Sequence, residues 1–170
     1  MPRTERSFFL GDAVTMARML PGMDIVIGSG DHCGRYMITE TEAYFGEEDR
    51  ACHASKGRTG RTEVMYLKGG HLYIYLIYGI YWMMNIVTGE ADEPQAVLIR
   101  GVASVSGPGR VTRALGINGS YNREDLTVSS RIWLEETDRR PVLKALPRVG
   151  IGYAGEPWVN MPWRFIIEDK

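Results

Sequence analysis

The chain has few cysteines and histidines, two and three respectively in 170 residues. The two cysteines, Cys33 and Cys52, cannot make the disulfide framework that staples small secreted domains, so a reducing compartment is expected. No apolar run approaches the roughly 20 residues that a membrane-spanning helix needs. The first residues lack the apolar core and the cleavage site of a secretory signal. These absences predict a cytoplasmic protein without a membrane partner.

An excess of positive charge is also missing, since the formal net charge is −1 at pH 7. Proteins that neutralise nucleic-acid phosphates usually carry clustered lysine and arginine, so the total charge argues against such a partner. The distribution of the charges argues the other way. Residues 50–68 contain five basic residues and one acid, and residues 100–148 contain nine basic residues and five acids. Each segment is either a phosphate-binding surface or an ordinary solvated face.

The pattern of apolar residues predicts a single α+β domain over residues 1–170, large enough for a substantial core. Short alternating segments dominate the chain, and turns rather than regular helical crossovers join them. The sheet is therefore expected to be mainly antiparallel and open barrel-like, with a protruding β-hairpin. Strands are predicted at 24–27, 34–44, 96–102 and 158–167, the hairpin at 71–85, and a turn at 29–31.

Two helices are predicted to flank this sheet. The first is capped by Asp12 and runs to Leu20, where a Pro-Gly pair stops it. The second opens at Gly107 and ends at Gly116, which matches the preference for proline at the start of a helix and glycine after its end. Residues 45–64 are predicted to form one long loop, and loops of that length in compact domains are usually functional or disordered.

The hairpin is the most informative segment, because aromatic side chains fill much of it and the chain turns at Tyr78-Gly79. A bulky aromatic side chain held on a tight turn is costly to leave in water. Such a ring suits a protein that must push into a stack of nucleobases.

A second group of candidate residues lies on the strand predicted at 34–44. Alternation places Glu40, Glu42 and Tyr44 on one face, which they share with Tyr36 and Ile38. Partial desolvation on such a face raises the pKa of a carboxylate towards that of a general base. The alternative is an exposed salt bridge between neighbouring strands.

Three further residues have both a chemical and an ordinary interpretation. Arg100 ends an apolar strand, so its guanidinium needs an anion such as Glu42 or a phosphate, unless it reaches out to solvent. Arg110 lies in the first turn of the second helix, where a cation and a helix N-terminus make a phosphate site, or it lies on a solvated face. His53 beside Cys52 is a poor zinc candidate, because a structural zinc site needs four ligands. No metal and no cofactor are expected.

Taken together, these segments resemble the alkyladenine (3-methylpurine) DNA glycosylase family over residues 8–165. The resemblance implies a DNA repair enzyme that flips and hydrolytically excises alkylated or deaminated purines from duplex DNA and leaves an abasic site. It rests on an ordered set of motifs: Glu40-Thr41-Glu42-Ala43-Tyr44, Leu72-Tyr73-Ile74-Tyr75-Leu76-Ile77-Tyr78-Gly79 leading to Met84-Asn85, Val97-Leu98-Ile99-Arg100, Gly107-Pro108-Gly109-Arg110, Ala114-Leu115-Gly116-Ile117-Asn118 and Arg148-Val149-Gly150.

The resemblance also implies catalytic roles for single residues. Glu42 falls on the general base, which activates a water to attack C1′ of the deoxyribose. Arg100 and the backbone carbonyl of Val149 fall on positions that help to hold this water. Tyr78 falls on the wedge that fills the gap left by the extruded base, and Ile80, beside it at the hairpin tip, is expected to enter the duplex as well.

The remaining implied roles concern the base and the DNA backbone. Tyr44, His53 and Tyr75 fall on the positions that sandwich the extruded base. Asn85 falls on the position that disfavours purines with a 2-amino group. Contacts to the DNA backbone are expected from Arg58 and Arg61 in the basic loop and from Arg110.

The expected partner is double-stranded DNA that contains damaged purines of the 3-methyladenine, hypoxanthine or ethenoadenine type. The protein is expected to act as a monomer and, in a bacterium, to associate with the nucleoid. Two alternatives remain open: an inactive domain of the same fold that binds damaged nucleic acid, and a hydrolase of free nucleosides. Glu42 argues against the first alternative, and a wedge such as Tyr78 argues against the second.

Overall fold

Nine strands and two α-helices form the fold in a computed structural model that describes residues 2–29 and 32–169. The helices are α1 (Ala13–Met19) and α2 (Pro108–Leu115). The strands are β1 (Asp24–Ser29), β2 (His32–Tyr44), β3 (Leu72–Ile77), β4 (Tyr81–Val87), β5 (Ala96–Val102), β6 (Val105–Ser106), β7 (Ile132–Glu135), β8 (Leu143–Leu146) and β9 (Arg164–Ile167). Two residues of the turn predicted at 29–31 lie outside the described residues.

All the strand pairs are antiparallel, and the main path through the sheet has the order β3-β4-β5-β2-β1-β7. The long strand β2 is shared: its first half pairs with β1, and its second half pairs with β5 on one side and β9 on the other. The register with β5 shifts around Glu40, and such irregularities bend a strand and re-aim its side chains. The predicted α+β class with an open, mainly antiparallel sheet is confirmed.

The core forms where α1 and α2 pack on this sheet, around Phe9, Ile38 and Phe165. Both predicted helices are confirmed at their ends. Oδ1 of Asp12 accepts the backbone N–H of Thr15 at 2.9 Å, and α2 ends at Gly116 with a φ of 70°. Among the described residues, none of the helices has the length and apolar character needed to cross a membrane.

The hairpin stands out from the sheet as predicted. β3 and β4 pair from Leu72 to Ile77, and the turn that joins them has positive φ at Tyr78 (54°) and Gly79 (65°). Positive φ at both central residues matches the twist of a hairpin. This geometry leaves the Tyr78 ring 83% exposed and Ile80 63% exposed at the tip.

Two sequence-based expectations were wrong in detail. The loop predicted at 45–64 contains a 3₁₀ helix at His53–Lys56, and a second one, Thr62–Tyr66, begins before the predicted end of the loop. Hydrogen bonds from threonine side chains order the segment between them, such as that from Oγ1 of Thr62 to the carbonyl of Gly57 at 2.9 Å.

The last strand is shorter than the predicted 158–167, since β9 begins only at Arg164. Trp158–Asn160 is a 3₁₀ helix instead. Pro162 follows it, and a proline has no N–H for a strand ladder.

The backbones of three segments meet at Gly69, and this contact gives a test of the fold. The N–H of Gly69 donates to the carbonyl of Gly89 at 2.9 Å, and a Cβ at position 69 would overlap the carbonyl oxygen of Phe9. We expect Gly69→Ala to lower the free energy of unfolding by about 1–3 kcal/mol, the usual cost of overpacking. Urea unfolding monitored by circular dichroism measures this change.

The control for this experiment is Gly60→Ala, because a Cβ on Gly60 would meet nothing within 4 Å. Its unfolding free energy should stay within about 0.5 kcal/mol of the parent. Equal midpoints for both variants would show that the backbone at Gly69 is not as close-packed as described.

Candidate active site

The side chain of Glu42 is the buried centre of the candidate site. It comes from the second half of β2 and is completely inaccessible to solvent. Oε1 accepts the hydroxyl of Tyr44 at 2.8 Å, and Oε2 accepts the backbone N–H of Val149 at 2.6 Å. Nη1 of Arg100 lies 3.9 Å from Oε1. The predicted catalytic set of Glu42, Arg100 and Val149 thus comes together, with the Val149 N–H rather than its carbonyl on the carboxylate.

Burial and neighbouring groups act in opposite directions on the Glu42 carboxyl. Burial raises its pKa above the usual 4.5, while Arg100, the N–H of Val149 and the hydroxyl of Tyr44 lower it. Burial and the charge of Glu42 raise the pKa of Tyr44 well above its usual value. Tyr44 therefore keeps its proton near neutral pH and donates it in a hydrogen bond to the carboxylate. This is the electrostatic setting of a general base.

Arg100 serves two carboxylates rather than one. Its Nε donates to Oε1 of Glu40 at 3.3 Å, and Nη1 of Arg164 lies 3.1 Å from the same oxygen. Glu40 is 5% exposed. The alternative interpretation from the sequence, an exposed salt bridge between neighbouring strands, therefore does not describe Glu40 and Arg100. The anion that Arg100 was predicted to need is therefore a carboxylate of the protein. Glu40 is its nearer partner, and Glu42 is the more distant one.

An aromatic cavity of about 40 Å³ adjoins Glu42. Glu42 does not line it, but its hydrogen-bond partner Tyr44 does. All four residues predicted for the base pocket lie on its wall. The complete lining is Tyr44, Ala51, His53, Met65, Tyr73, Tyr75, Asn85, Ala96 and Tyr153.

His53 lies inside this wall as a neutral hydrogen-bonding residue. Its Nδ1 lies 2.9 Å from the hydroxyl of Tyr73, and its ring centre lies 4.6 Å from that of Tyr75. Burial, followed by the charges of Arg61 and Lys56, lowers the pKa of His53 to about 4. Within the described residues, no group of three or more His, Cys, Asp or Glu side chains is placed to hold a metal ion.

Asn85 lies on β4, next to β3, and lines the aromatic cavity. It pairs with Tyr73 in the ladder, and its Nδ2 donates to the Tyr73 carbonyl at 3.2 Å. The side chain is 3% exposed. Its amide is therefore held in one orientation by the backbone it faces.

Positive side chains line a cleft of about 420 Å³ that shares Ala51, His53 and Tyr153 with the aromatic cavity. Arg50, Lys56 and Arg61 lie along this cleft, and the guanidinium of Arg61 is 5.1 Å from the ring centre of Tyr75. Of the three predicted backbone contacts, Arg61 thus lies next to the cavity.

The other two predicted contacts lie elsewhere. Nη1 of Arg58 is 3.0 Å from Oδ1 of Asp92, and its guanidinium covers the Tyr66 ring at 4.9 Å. Arg110 is exposed in the first turn of α2. That end of α2 abuts the hairpin, since a Cβ on Gly109 would lie 2.9 Å from the ring of Tyr81.

Sequence reasoning missed five residues of the cavity wall, of which two are aromatic, Tyr73 and Tyr153. Tyr73 could have been found, because it stands two residues before Tyr75 on the same strand and therefore on the same face. Tyr153 carries no local signal. It lies in the 3₁₀ helix Gly152–Ala154 and reaches the cavity through tertiary packing, with its hydroxyl 3.2 Å from the carbonyl of Ala51.

Comparison with known proteins gives a consistent family. The model of the family described as "Methylpurine-DNA glycosylase (MPG)" matches residues 7–106 and 102–170. Proteins named "Putative 3-methyladenine DNA glycosylase" are similar over nearly their whole length. One from Borrelia garinii subsp. bavariensis is 39% identical, covering 98% of this chain and 96% of its own. One from Methanocella arvoryzae is 37% identical, covering 97% and 92%. One from Sodalis glossinidius is 41% identical, covering 94% of each chain. The chain therefore belongs to the methylpurine-DNA glycosylase family.

Proposed function

We propose that the protein excises alkylated or deaminated purines from duplex DNA by hydrolysis, and that residues 1–170 act as one glycosylase domain. One observation carries this proposal. A fully buried carboxylate, Glu42, is hydrogen-bonded to a wall residue of an aromatic cavity, and the hairpin that supplies another wall residue ends in an exposed tyrosine. An enzyme that acts on a base inside a duplex must first extrude that base.

The hairpin tip supports the extrusion step. We assign to Tyr78 the gap that the base leaves, because its ring is 83% exposed, and to Ile80 the place beside it. Unstacking a base costs a few kcal/mol, and a damaged base costs less because it pairs poorly. A side chain that fills the gap offsets part of this cost.

The aromatic cavity supports capture of the extruded base. We assign Tyr44, His53 and Tyr75 to its two faces, since all three line the cavity. Stacking of a base on an aromatic ring is worth about 1–3 kcal/mol, and a purine made cationic by alkylation gains a further attraction to the ring faces. The attraction of a cation to the rings favours lesions of the 3-methyladenine type, whereas neutral lesions of the hypoxanthine and ethenoadenine type are favoured by stacking and by their weaker pairing. Asn85, held by the Tyr73 carbonyl, is the proposed barrier to a 2-amino group.

Glu42 is the proposed general base. It takes a proton from a water molecule whose oxygen forms a bond to C1′ of the deoxyribose, while the bond from C1′ to the base nitrogen breaks and its electron pair leaves with the base. Arg100 and Val149 hold the carboxylate ionised for this step. No lysine lines the cavity within the described residues, so the proposal is a monofunctional enzyme that leaves an abasic site.

We propose that the DNA backbone runs along the basic cleft, where Arg61 lies nearest to the aromatic cavity. Arg110, beside the hairpin, would make a further contact to the backbone. Arg58 would have to leave Asp92 to join them, and an exposed ion pair of this kind costs at most about 1 kcal/mol to break. We propose that the protein binds DNA as a monomer. Because the net charge is −1, the affinity should depend on these few cations and fall steeply with salt.

The first prediction concerns the general base. We expect Glu42→Gln to lower the rate of base release by roughly 100-fold to 10,000-fold, the usual contribution of such a group. Binding to damaged duplex should change only a few-fold, because the amide has the shape of the carboxyl. The assay uses a duplex with a single hypoxanthine, followed by hot alkali to reveal abasic sites.

The control is Glu47→Gln, which removes a negative charge from an exposed residue in the loop that follows β2. It should release base at close to the parent rate. Normal release by Glu42→Gln would mean that the base is assigned wrongly, and would leave room for a domain that only binds damaged nucleic acid.

The wedge gives the second prediction. We expect Tyr78→Ala to lose about 10-fold to 100-fold in the rate of base release from a paired lesion, as the loss of a stacking ring implies. The loss on an unpaired lesion should be much smaller, because there is less stacking to break. Tyr78→Phe should restore the paired rate. An equal loss on paired and unpaired lesions would contradict the wedge.

The neutral state of His53 gives the third prediction. Its pKa is lowered from 6.5 to about 4 on folding, so below about pH 6.5 the unfolded chain binds a proton that the folded chain does not. Folding stability should therefore fall as the pH falls from 6.5 towards 4. Urea unfolding at about pH 7 and about pH 5 should show a smaller loss for His53→Gln than for the parent. The same loss in both proteins would mean that His53 titrates normally.

A further inference from the structure

A buried ion pair, Asp49–Arg148, lies next to Glu42 and outside the aromatic cavity. Both side chains are completely buried. Nη1 of Arg148 lies 2.5 Å from Oδ2 of Asp49, and Nη2 lies 2.9 Å from Oδ1. Two parallel hydrogen bonds therefore fix the orientation of the guanidinium as well as its position.

On one side, Asp49 orders the chain that follows β2. Its Oδ2 accepts the backbone N–H of Phe45 at 2.9 Å, and its Oδ1 accepts that of Ala51 at 3.0 Å. Ala51 lines the aromatic cavity. The carboxylate thus links the end of the strand that carries Glu42 to the cavity wall.

On the other side, Arg148 holds the backbone around the Glu42 carboxylate. Its Nη1 donates to the carbonyl of Ala43, the residue after Glu42, at 3.0 Å. The residue after Arg148 is Val149, whose N–H donates to Oε2 of Glu42 at 2.6 Å. One guanidinium therefore joins the strand that carries the carboxylate to the amide that binds it.

The surroundings of Arg148 are poorly suited to a purely stabilising role. The guanidinium lies between the rings of Tyr44 and Trp163, at 5.1 and 4.9 Å from their centres. Its Nε has no hydrogen-bond partner among the described residues. Buried ion pairs often contribute no more stability than apolar side chains of the same volume, and an unsatisfied buried donor adds a cost. What the pair does supply is a fixed geometry.

We propose that Asp49 and Arg148 are positioning residues of the reaction, which hold the N–H of Val149 on Oε2 of Glu42 and so fix the orientation of the carboxylate. The proposal deepens the proposed function and rests on it for its catalytic consequence. Its geometric content, the bond between residues 149 and 42, does not depend on what the protein cleaves.

The charges around Glu42 give the sign of the expected effect. Arg100, on β5, faces the carboxylate and is shared with Glu40. Tyr44, Tyr75 and Tyr153 also lie close enough to interact with its charge. Burial raises the pKa of Glu42, and Arg100, the Val149 N–H, Tyr44 and Arg148 lower it. Both test variants keep a positive charge at residue 148, so loss of the pair weakens only the second of these lowering effects, the hydrogen bond from Val149. This loss raises the midpoint of the Glu42 titration in Arg148→Lys, whereas in Asp49→Asn the removal of a nearby negative charge acts in the opposite direction.

The test uses the full-length chain and two variants. Asp49→Asn keeps the shape of the side chain but removes its charge, and Arg148→Lys keeps the charge but cannot form two parallel hydrogen bonds. We follow the side-chain carboxyl of Glu42 by carbon NMR and the amide proton of Val149 by proton–nitrogen NMR, from about pH 4 to about pH 8.

In the parent protein, the amide resonance of Val149 should move with the titration of Glu42. In both variants the Val149 amide should lose its response, and in Arg148→Lys, which keeps the charge, the Glu42 midpoint should move to higher pH. Single-turnover base release from a hypoxanthine duplex should fall about 10-fold to 100-fold, the scale expected when a reacting group is displaced. Binding of the duplex should change less than threefold.

The control is Asp24→Asn, which breaks another ion pair, Asp24–Arg139 at 2.6 Å, away from Glu42 on β1. The aspartate of this pair is 12% exposed and its arginine 49% exposed. The control variant should leave the Glu42 midpoint, the Val149 amide and the rate of base release unchanged at a temperature where it is folded. If Asp49 and Arg148 have a purely structural role, the two test variants will also leave the Glu42 midpoint, the Val149 amide and the rate of base release unchanged. That result would overturn the proposal.

Two further outcomes separate this inference from the proposed function. A parent protein whose Val149 amide ignores the ionisation of Glu42 refutes the positioning role, even if neither variant folds. A parent protein that shows the NMR coupling but releases no damaged base refutes the proposed function while the geometric inference stands.

Discussion

The structure depends on one buried acidic side chain, Glu42, whose carboxyl is inaccessible to bulk solvent. A buried carboxylate without partners takes up a proton, since desolvation disfavours the charged form. Here a hydroxyl, a backbone N–H and a guanidinium offset that cost, and each comes from a different part of the chain. Burial raises the pKa of this carboxyl and the three groups lower it, with a net shift upward from 4.5, which is the direction that suits the proposed general base.

The fold provides these partners through the long strand β2, which is paired on both sides where it carries Glu42. β5 brings Arg100, and β9 closes the other edge. The hairpin of β3 and β4 extends the same sheet, so that three residues of the cavity wall, Tyr73, Tyr75 and Asn85, and the exposed Tyr78 belong to one hairpin. Backbone hydrogen bonds therefore link the proposed site of chemistry to the proposed site of insertion.

Much of this could be predicted from local sequence. The hairpin, its tip and the caps of both helices follow from turn chemistry and alternation. The need of a buried cation for an anion gave Glu42 as one candidate partner of Arg100, but the nearer partner is Glu40. The pocket residues came from the family resemblance, and the structure brings all four together.

The features that were missed depend on contacts between distant parts of the chain. Asp49 and Arg148 are separated by 99 positions, so no local pattern pairs them. Tyr153 reaches the cavity from a short helix that has no distinctive pattern. The partner of Arg58, Asp92, lies 34 positions away, so a count of basic residues could not show that this cation is engaged.

The most direct test of the account compares two curves from the same protein. One is the pH dependence of single-turnover base release from a duplex with a neutral lesion, and the other is the titration of the Glu42 carboxyl observed by carbon NMR. If Glu42 is the general base, the acidic midpoint of the rate should coincide with the midpoint of the carboxyl and lie above its usual value of 4.5. A rate that stays constant while the Glu42 carboxyl takes up its proton would contradict the account.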